Sequence, residues 1–223
     1  MSIKLGSSIM RKVAMAISGL FLIIFLTQHF IINITSVFSE EIFNMFSHFM
    51  GNNFLVQFIA QPVLIVGVLF HFIMGFYLEL QNRSARSVQY VVYKGSANSS
   101  WISRNMIVSG AVVLSFLILH FYDFWIPEMK YKYVDILPED PNRYYEELVH
   151  KFKDPIKVSL YCISFLFLAL HLLHGFASSF KSLGTASKYY STISLITKVY
   201  AIGISLGFCF IAIFHLIGNF VTH

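Results

Sequence analysis

Five long apolar stretches, at about 13–36, 57–80, 105–126, 157–180 and 196–220, most constrain what this 223-residue chain can fold into. A bilayer core of roughly 30 Å takes about 20 apolar residues to cross as a helix. In lipid the backbone must satisfy its own polar groups, so segments of this length span as helices. Hydrophobic residues make up 57% of the chain and charged residues 12%, which excludes a soluble globular domain, where roughly a quarter are charged. The expected fold is all-α, a single five-helix transmembrane domain over 1–223. The first stretch follows Lys4, Arg11 and Lys12, as a signal peptide would. It outruns the usual 7–15 apolar residues and offers no A-x-A cleavage site after its apolar core, Ala14-Met15-Ala16 standing at its start, so it is expected to be retained. No internal repeat and no low-complexity segment is evident.

Charge gives the expected orientation. The N-terminus (Lys4, Arg11, Lys12), the second connection (Arg83, Arg86, Lys94, Arg104) and the fourth (Lys181, Lys188, Lys198) hold ten of the 16 basic residues and no acid except Glu79 near a helix end. The first connection has Glu40 and Glu41 and no Lys or Arg, and the third, an external loop over about 127–156, holds seven acids. The positive-inside rule then puts the N-terminus in the cytoplasm and the C-terminus outside. Basic residues placed this way report orientation and do not form a nucleic-acid face. Trp101 and Trp125 bracket the third helix about 36 Å apart, as interfacial anchors do. Gly203 and Gly207 form a G-x-x-x-G pair suited to close helix approach. Cys162 and Cys209 both lie in apolar runs, too few for a disulfide framework, and no C-x-x-C-H occurs for covalent haem.

Six histidines lie inside the apolar runs, at least one on every helix. A single intramembrane histidine is often a packing residue, but six ionisable groups in lipid are costly and point to a functional interior. Counted from the nearest inner basic residue at about 1.5 Å per residue, His29, His120 and His215 lie about 24–26 Å away, and His71 and His171 about 15–18 Å. His174 is one turn nearer the inner surface. The histidines thus form two layers. Two opposed neutral imidazoles at one level are what a low-spin haem takes, one on each face of the iron. Helices one and three supply the outer pair, His29 and His120; helices two and four supply the inner pair.

His71 is followed four residues on by Gly75, and His171 by Gly175. Positions i and i+4 share a helix face, so each histidine has a side-chain-free patch one turn away for a flat macrocycle. His171 matches His71 in depth and is preferred as the fourth ligand, with His174 left to bond a propionate or a quinone. His215 is expected beside the outer site, or as a replacement ligand there; His48, His150 and His223 are expected to be solvated.

In the order of these single histidines the chain resembles the five-helix, two-haem cytochrome b subunit of succinate:quinone oxidoreductases and fumarate reductases. The residues that carry the resemblance are T-Q-H-F (His29), L-F-H-F-I-M-G (His71), I-L-H-F (His120) and H-L-L-H-G on helix four. Family members have a fourth-helix ligand with Gly at +4 and near +13, which from His171 are Gly175 and Gly184. The resemblance implies two non-covalent haem b groups, one on His29 and His120 and one on His71 and His171. It also implies a flavoprotein and an iron–sulfur subunit docked at the cytoplasmic face of a bacterial membrane. Dicarboxylate chemistry would occur on the flavoprotein, with electrons passing through the haems to or from a quinone, menaquinone being the better match. Some members carry a carboxylate two residues before the fourth-helix ligand; here that residue is Ala169, so a proton route through it is not expected. Glu40 and Glu41 are candidates for proton exchange at an outer quinone site. Arg11, Arg83, Arg86, Arg104 and Lys181 are candidates for pairing with haem propionates or an acidic subunit.

Three rivals remain. The cytochrome b anchors of hydrogenases and formate dehydrogenases are also small haem-binding bundles. A transporter using histidine as a proton relay would be expected to bury a mid-membrane Asp or Glu, and none stands in the middle of a run. A membrane di-iron enzyme would need several histidine clusters, and only 171–174 resembles one.

Overall fold

The computed structural model describes residues 8–84, 106–185 and 187–221, and among these all regular structure is helical. Lys4, Arg86, Lys94, Trp101, Arg104 and His223 lie outside the described residues. Helix α1 (Ser8–Thr35) is followed by a short α2 (Glu40–Asn52), then by a π turn (Val56–Ala60) that runs directly into α3 (Gln61–Ser84). Next come α4 (Met106–His120), a second π turn (Phe121–Trp125), α5 (Ile126–Tyr133), α6 (Arg143–Lys151), α7 (Pro155–Ser182) and α8 (Tyr190–Val221). Five stretches, Ser8–Thr35, Val56–Ser84, Met106–Tyr133, Pro155–Ser182 and Tyr190–Asn219, are long and apolar enough to cross a membrane.

Most of these helices outrun the apolar stretches that announce them, and at α7 capping residues set both ends. Asp154 accepts from the Ile156 amide at 2.9 Å and Pro155 occupies the first turn of α7; proline is tolerated there, having no amide to satisfy. At the other end of α7, Gly184 takes φ +82° and the Thr185 amide returns to the Phe180 carbonyl at 3.2 Å. That is a left-handed glycine stop, so the glycine thirteen positions after His171 has a local structural reason. The expected external loop over 127–156 is helical over much of its length. Its first part continues the third span through the π turn into α5, and its second part forms α6. The first connection also folds. Ser39 Oγ caps α2 by accepting from Ile42 at 3.2 Å, and Glu40 and Glu41 stand exposed in its first turn, where acids offset the helix dipole.

Helix α7 is the hub, packed against α8, α4 and α1, while α1 also packs against α3. Large apolar side chains such as Ile24 (70% exposed) and Val66 (65% exposed) face outward. Asp123, Thr197 and Ser205 are each 1% exposed, inside the bundle. An apolar exterior of this extent is favourable only where the surrounding medium is hydrocarbon. The expected G-x-x-x-G packing holds for one residue of the two. A Cβ on Gly207 would collide with the Phe30 ring, whereas one on Gly203 meets nothing within 4 Å. The two cysteines are free thiols, with Cys209 Sγ 3.8 Å from the Cys162 carbonyl.

At the end of the bundle that holds α2, α5 and α6, Arg143 lies over the rings of Tyr131 at 4.0 Å and Tyr144 at 4.3 Å. Its guanidinium pairs with Glu128 and, at 3.1 Å, with Glu147. Glu128 also pairs with Lys132 at 2.6 Å and accepts from the Tyr144 hydroxyl at 2.8 Å. Burial, with the Glu128 charge adding to it, pushes the Tyr144 phenol above its ordinary value. This clamp fastens α6 to α5, and Lys132 carries it to α2 by donating to the Gly51 carbonyl at 2.5 Å.

Candidate functional site: two stacked histidine pairs

The structure brings four of the sequence-identified histidines together in twos. His29 on α1 faces His120 on α4 with ring centres 5.8 Å apart and planes at 86°. His71 on α3 faces His171 on α7 with centres 6.3 Å apart and planes at 69°. Two imidazoles sharing one metal ion, each about 2 Å from it through a ring nitrogen, have ring centres about 6 Å apart. The spacing therefore fits a bis-imidazole metal. Among the described residues no three His, Cys, Asp or Glu side chains gather to hold a metal ion. A set of two suits a metal whose remaining ligands come from a macrocycle. One orphaned buried atom adds to the fit: Arg11 Nε has no hydrogen-bond partner and is available to an anionic group.

The same construction appears twice. Met15, Ser18, Gly19, Phe25, Leu26, His29 and Phe30 recur as Met106, Ser109, Gly110, Phe116, Leu117, His120 and Phe121, each 91 positions on. His71, Gly75 and Phe76 recur as His171, Gly175 and Phe176, 100 positions on. The expectation of no internal repeat is thus corrected: α1 and α3 are echoed by α4 and α7. A search at one fixed period misses the echo because the connections differ in length. The geometry repeats as well. Phe25 stacks on His29 at 5.5 Å and 21°, and Phe116 on His120 at 5.7 Å and 26°. Ser18 Oγ lies 3.0 Å from His71 Nδ1 and Ser109 Oγ 3.4 Å from His171 Nδ1. Serine and histidine of one repeat are eleven residues apart, so the two pairs stand about 16 Å apart along the bundle. No family model, curated protein or solved structure matches this chain.

The remaining sequence candidates fall into place around the pairs. His174 lies one turn beyond His171 with Ser178 Oγ 3.3 Å from its Nε2; His171 is the fourth-helix imidazole set against His71. His215 is buried, 2.9 Å from Ser36 Oγ through Nε2 and edge-on to Tyr145, so it joins neither pair. His48 is not simply solvated: it lies 3.2 Å from the Pro141 carbonyl and against Tyr144. His150 is exposed. The patches beside Gly75 and Gly175 are faced by methionine ends, Met15 Cε at 3.5 Å and Met106 Cε at 3.1 Å from an added Cβ. Arg11 donates to Tyr77 at 2.9 Å and Gln81 at 3.0 Å. Arg83 is ion-paired with Glu79 at 2.7 Å, and Lys181 is exposed.

One cluster escapes a reading of the sequence. Asp123, in the π turn directly after His120, accepts from Lys157 at 2.8 Å and from the Tyr161 hydroxyl at 2.9 Å. The wider π turn carries the carboxylate inward, toward α7; such turns are frequent at functional sites. Tyr161 in turn lies 6.5 Å from the His120 ring.

Proposed function

We propose that this chain is the di-haem cytochrome b membrane anchor of a succinate:quinone oxidoreductase or fumarate reductase. It would lie in a bacterial cytoplasmic membrane, with its N-terminus inside and its C-terminus outside. The observation that carries the reading is the meeting of His29 with His120 and of His71 with His171 at ring separations of 5.8 and 6.3 Å. His29 and His120 hold the outer haem, and His71 and His171 the inner one. Haem b supplies reversible one-electron transfer when bound, and the protein supplies position and electrostatics.

The chain's own residues have separable duties. Phe25 and Phe116 stack on the outer imidazoles and fix their ring planes. Arg11, whose Nε is buried without a partner, is available to a haem carboxylate at the inner end. The outward apolar surface keeps water from the two pairs. The orientation rests on the ten basic residues of the N-terminus and of the second and fourth connections. At the end proposed to be external, Lys130, Lys132, Arg143 and Lys157 are each matched by an acid. Flavoprotein and iron–sulfur partners at the inner face and a membrane quinone complete the reading.

Purification of the complex from native membranes tests it. The expected result is a red preparation with flavin- and iron–sulfur-bearing subunits, whose haem is reduced on addition of succinate. A nickel- or molybdenum-bearing partner would replace this reading with the hydrogenase or formate dehydrogenase one, and a colourless chain from haem-replete cells would favour a transporter.

A further inference from the structure

Both histidines of the inner pair have a serine hydroxyl beside Nδ1, supplied by the repeated serine, whereas in the outer pair His29 has an amide neighbour, Asn33 Nδ2 at 3.4 and 3.5 Å from its ring nitrogens, and His120 Nδ1 has none. Ser18 Oγ lies 2.8 Å from the Met15 carbonyl and Ser109 Oγ 2.9 Å from the Met106 carbonyl, each three residues back on its own helix. A hydroxyl carries a single hydrogen. With that hydrogen on the carbonyl, which can only accept, the serine oxygen is free to accept from its histidine. A metal on Nε2 leaves the imidazole proton on Nδ1, and His71 Nδ1 at 3.0 Å and His171 Nδ1 at 3.4 Å are then the donors. Each imidazole is fixed in one tautomer, with the proton on Nδ1 and the lone pair on Nε2. Both serines are buried, at 8% and 5% exposure, so water does not compete for the bond. The neighbouring glycines lie beside the imidazoles: a Cβ on Gly19 would stand in ordinary contact with His71 Cε1 at 3.4 Å, and one on Gly110 with His171 Cε1 at 3.6 Å.

We infer that Ser18 and Ser109 are positioning residues of the inner haem site. From α1 and α4 they hold the Nδ1 protons of His71 and His171, helices that the ligands themselves do not occupy, and so present both Nε2 lone pairs to one iron. The outer pair works differently, since His120 Nδ1 has no partner. The inference rests on the haem reading of the pairs and adds a consequence to it. An acceptor on Nδ1–H makes the imidazole more basic, and a more basic axial ligand favours ferric over ferrous iron. Removing the acceptor therefore raises the potential of the inner haem and leaves the outer one where it was.

Redox titration of the purified complex, with optical and low-temperature EPR detection, tests this. The His71→Ala variant identifies which of the two titration waves belongs to the inner haem. Ser18→Ala and Ser109→Ala are each expected to raise the inner wave and shift its low-spin EPR signal, with the outer wave unmoved and the double variant shifting further than either alone. If Ser18→Ala empties the inner site, Ser18→Thr, which keeps the oxygen, is expected to refill it. Unchanged inner potential and spectrum in both alanine variants, equal shifts of both waves, or loss of the haem in the alanine and threonine variants alike would overturn the inference while leaving the haem pairs in place. A wild-type complex without haem would instead overturn the reading beneath it.

Discussion

At the scale of single residues, the chemistry is decided by which polar groups meet inside an apolar medium. Asp123 is the sharpest case, a carboxylate 1% exposed and held by Lys157 and Tyr161. Taking one partner from a buried pair leaves a charge that lipid-facing helices cannot solvate. Lys157→Met should therefore destabilise the detergent-solubilised protein by about 3 kcal/mol, read as a lower midpoint of thermal unfolding. The double variant Asp123→Leu with Lys157→Met should recover most of that loss, because removing both charges is far cheaper than stranding one. The histidine pairs were legible in the sequence because depth can be counted from the basic residues at 1.5 Å per residue. Asp123 was not, because a carboxylate three residues from the end of an apolar run reads as interfacial. Ser18 and Ser109 were missed for another reason: a serine is common in membrane helices and gives no sign of what it faces.

At the scale of elements, the spans followed from apolar length and the shorter helices did not. A 13-residue amphipathic helix such as α2 is invisible to a search for runs of about 20 apolar residues, although Ser39 with Glu40 and Glu41 marks its start. The two π turns had no sequence signal, because they arise where a helix must re-aim side chains against its neighbours. The glycine pair on α8 was read correctly in kind and only half correctly in detail. Gly207 lies under the Phe30 ring, which itself packs edge-on against Phe208 at 5.3 Å, while Gly203 has open space. Replacing a helix-interior glycine by alanine gains about 1 kcal/mol of helix propensity, whereas forcing a methyl into a packed contact costs about 1–3 kcal/mol. Gly207→Ala should lower the thermal midpoint, and Gly203→Ala should leave it unchanged or raise it.

At the scale of the whole molecule, one design is used twice. A helix bearing a serine, a glycine and, eleven positions after the serine, a histidine packs against a helix bearing the other layer's histidine, and the α4–α7 unit repeats what α1 and α3 do. Crossing the serines between layers links the two pairs into a single column, which α7 braces against α8. The five spans and two layers could be read from the chain, but the echo between its halves becomes visible only once contacts show which positions correspond. The central claim is that each pair grips its own haem iron. Haem content per chain, measured on the purified protein and on four single variants, tests it most directly. The wild-type chain should carry two haems, His29→Ala and His71→Ala should carry one each, His171→Ala should carry one, and His174→Ala should keep both. Two haems retained in any of the first three variants, or none in the wild-type chain from haem-replete cells, would contradict it.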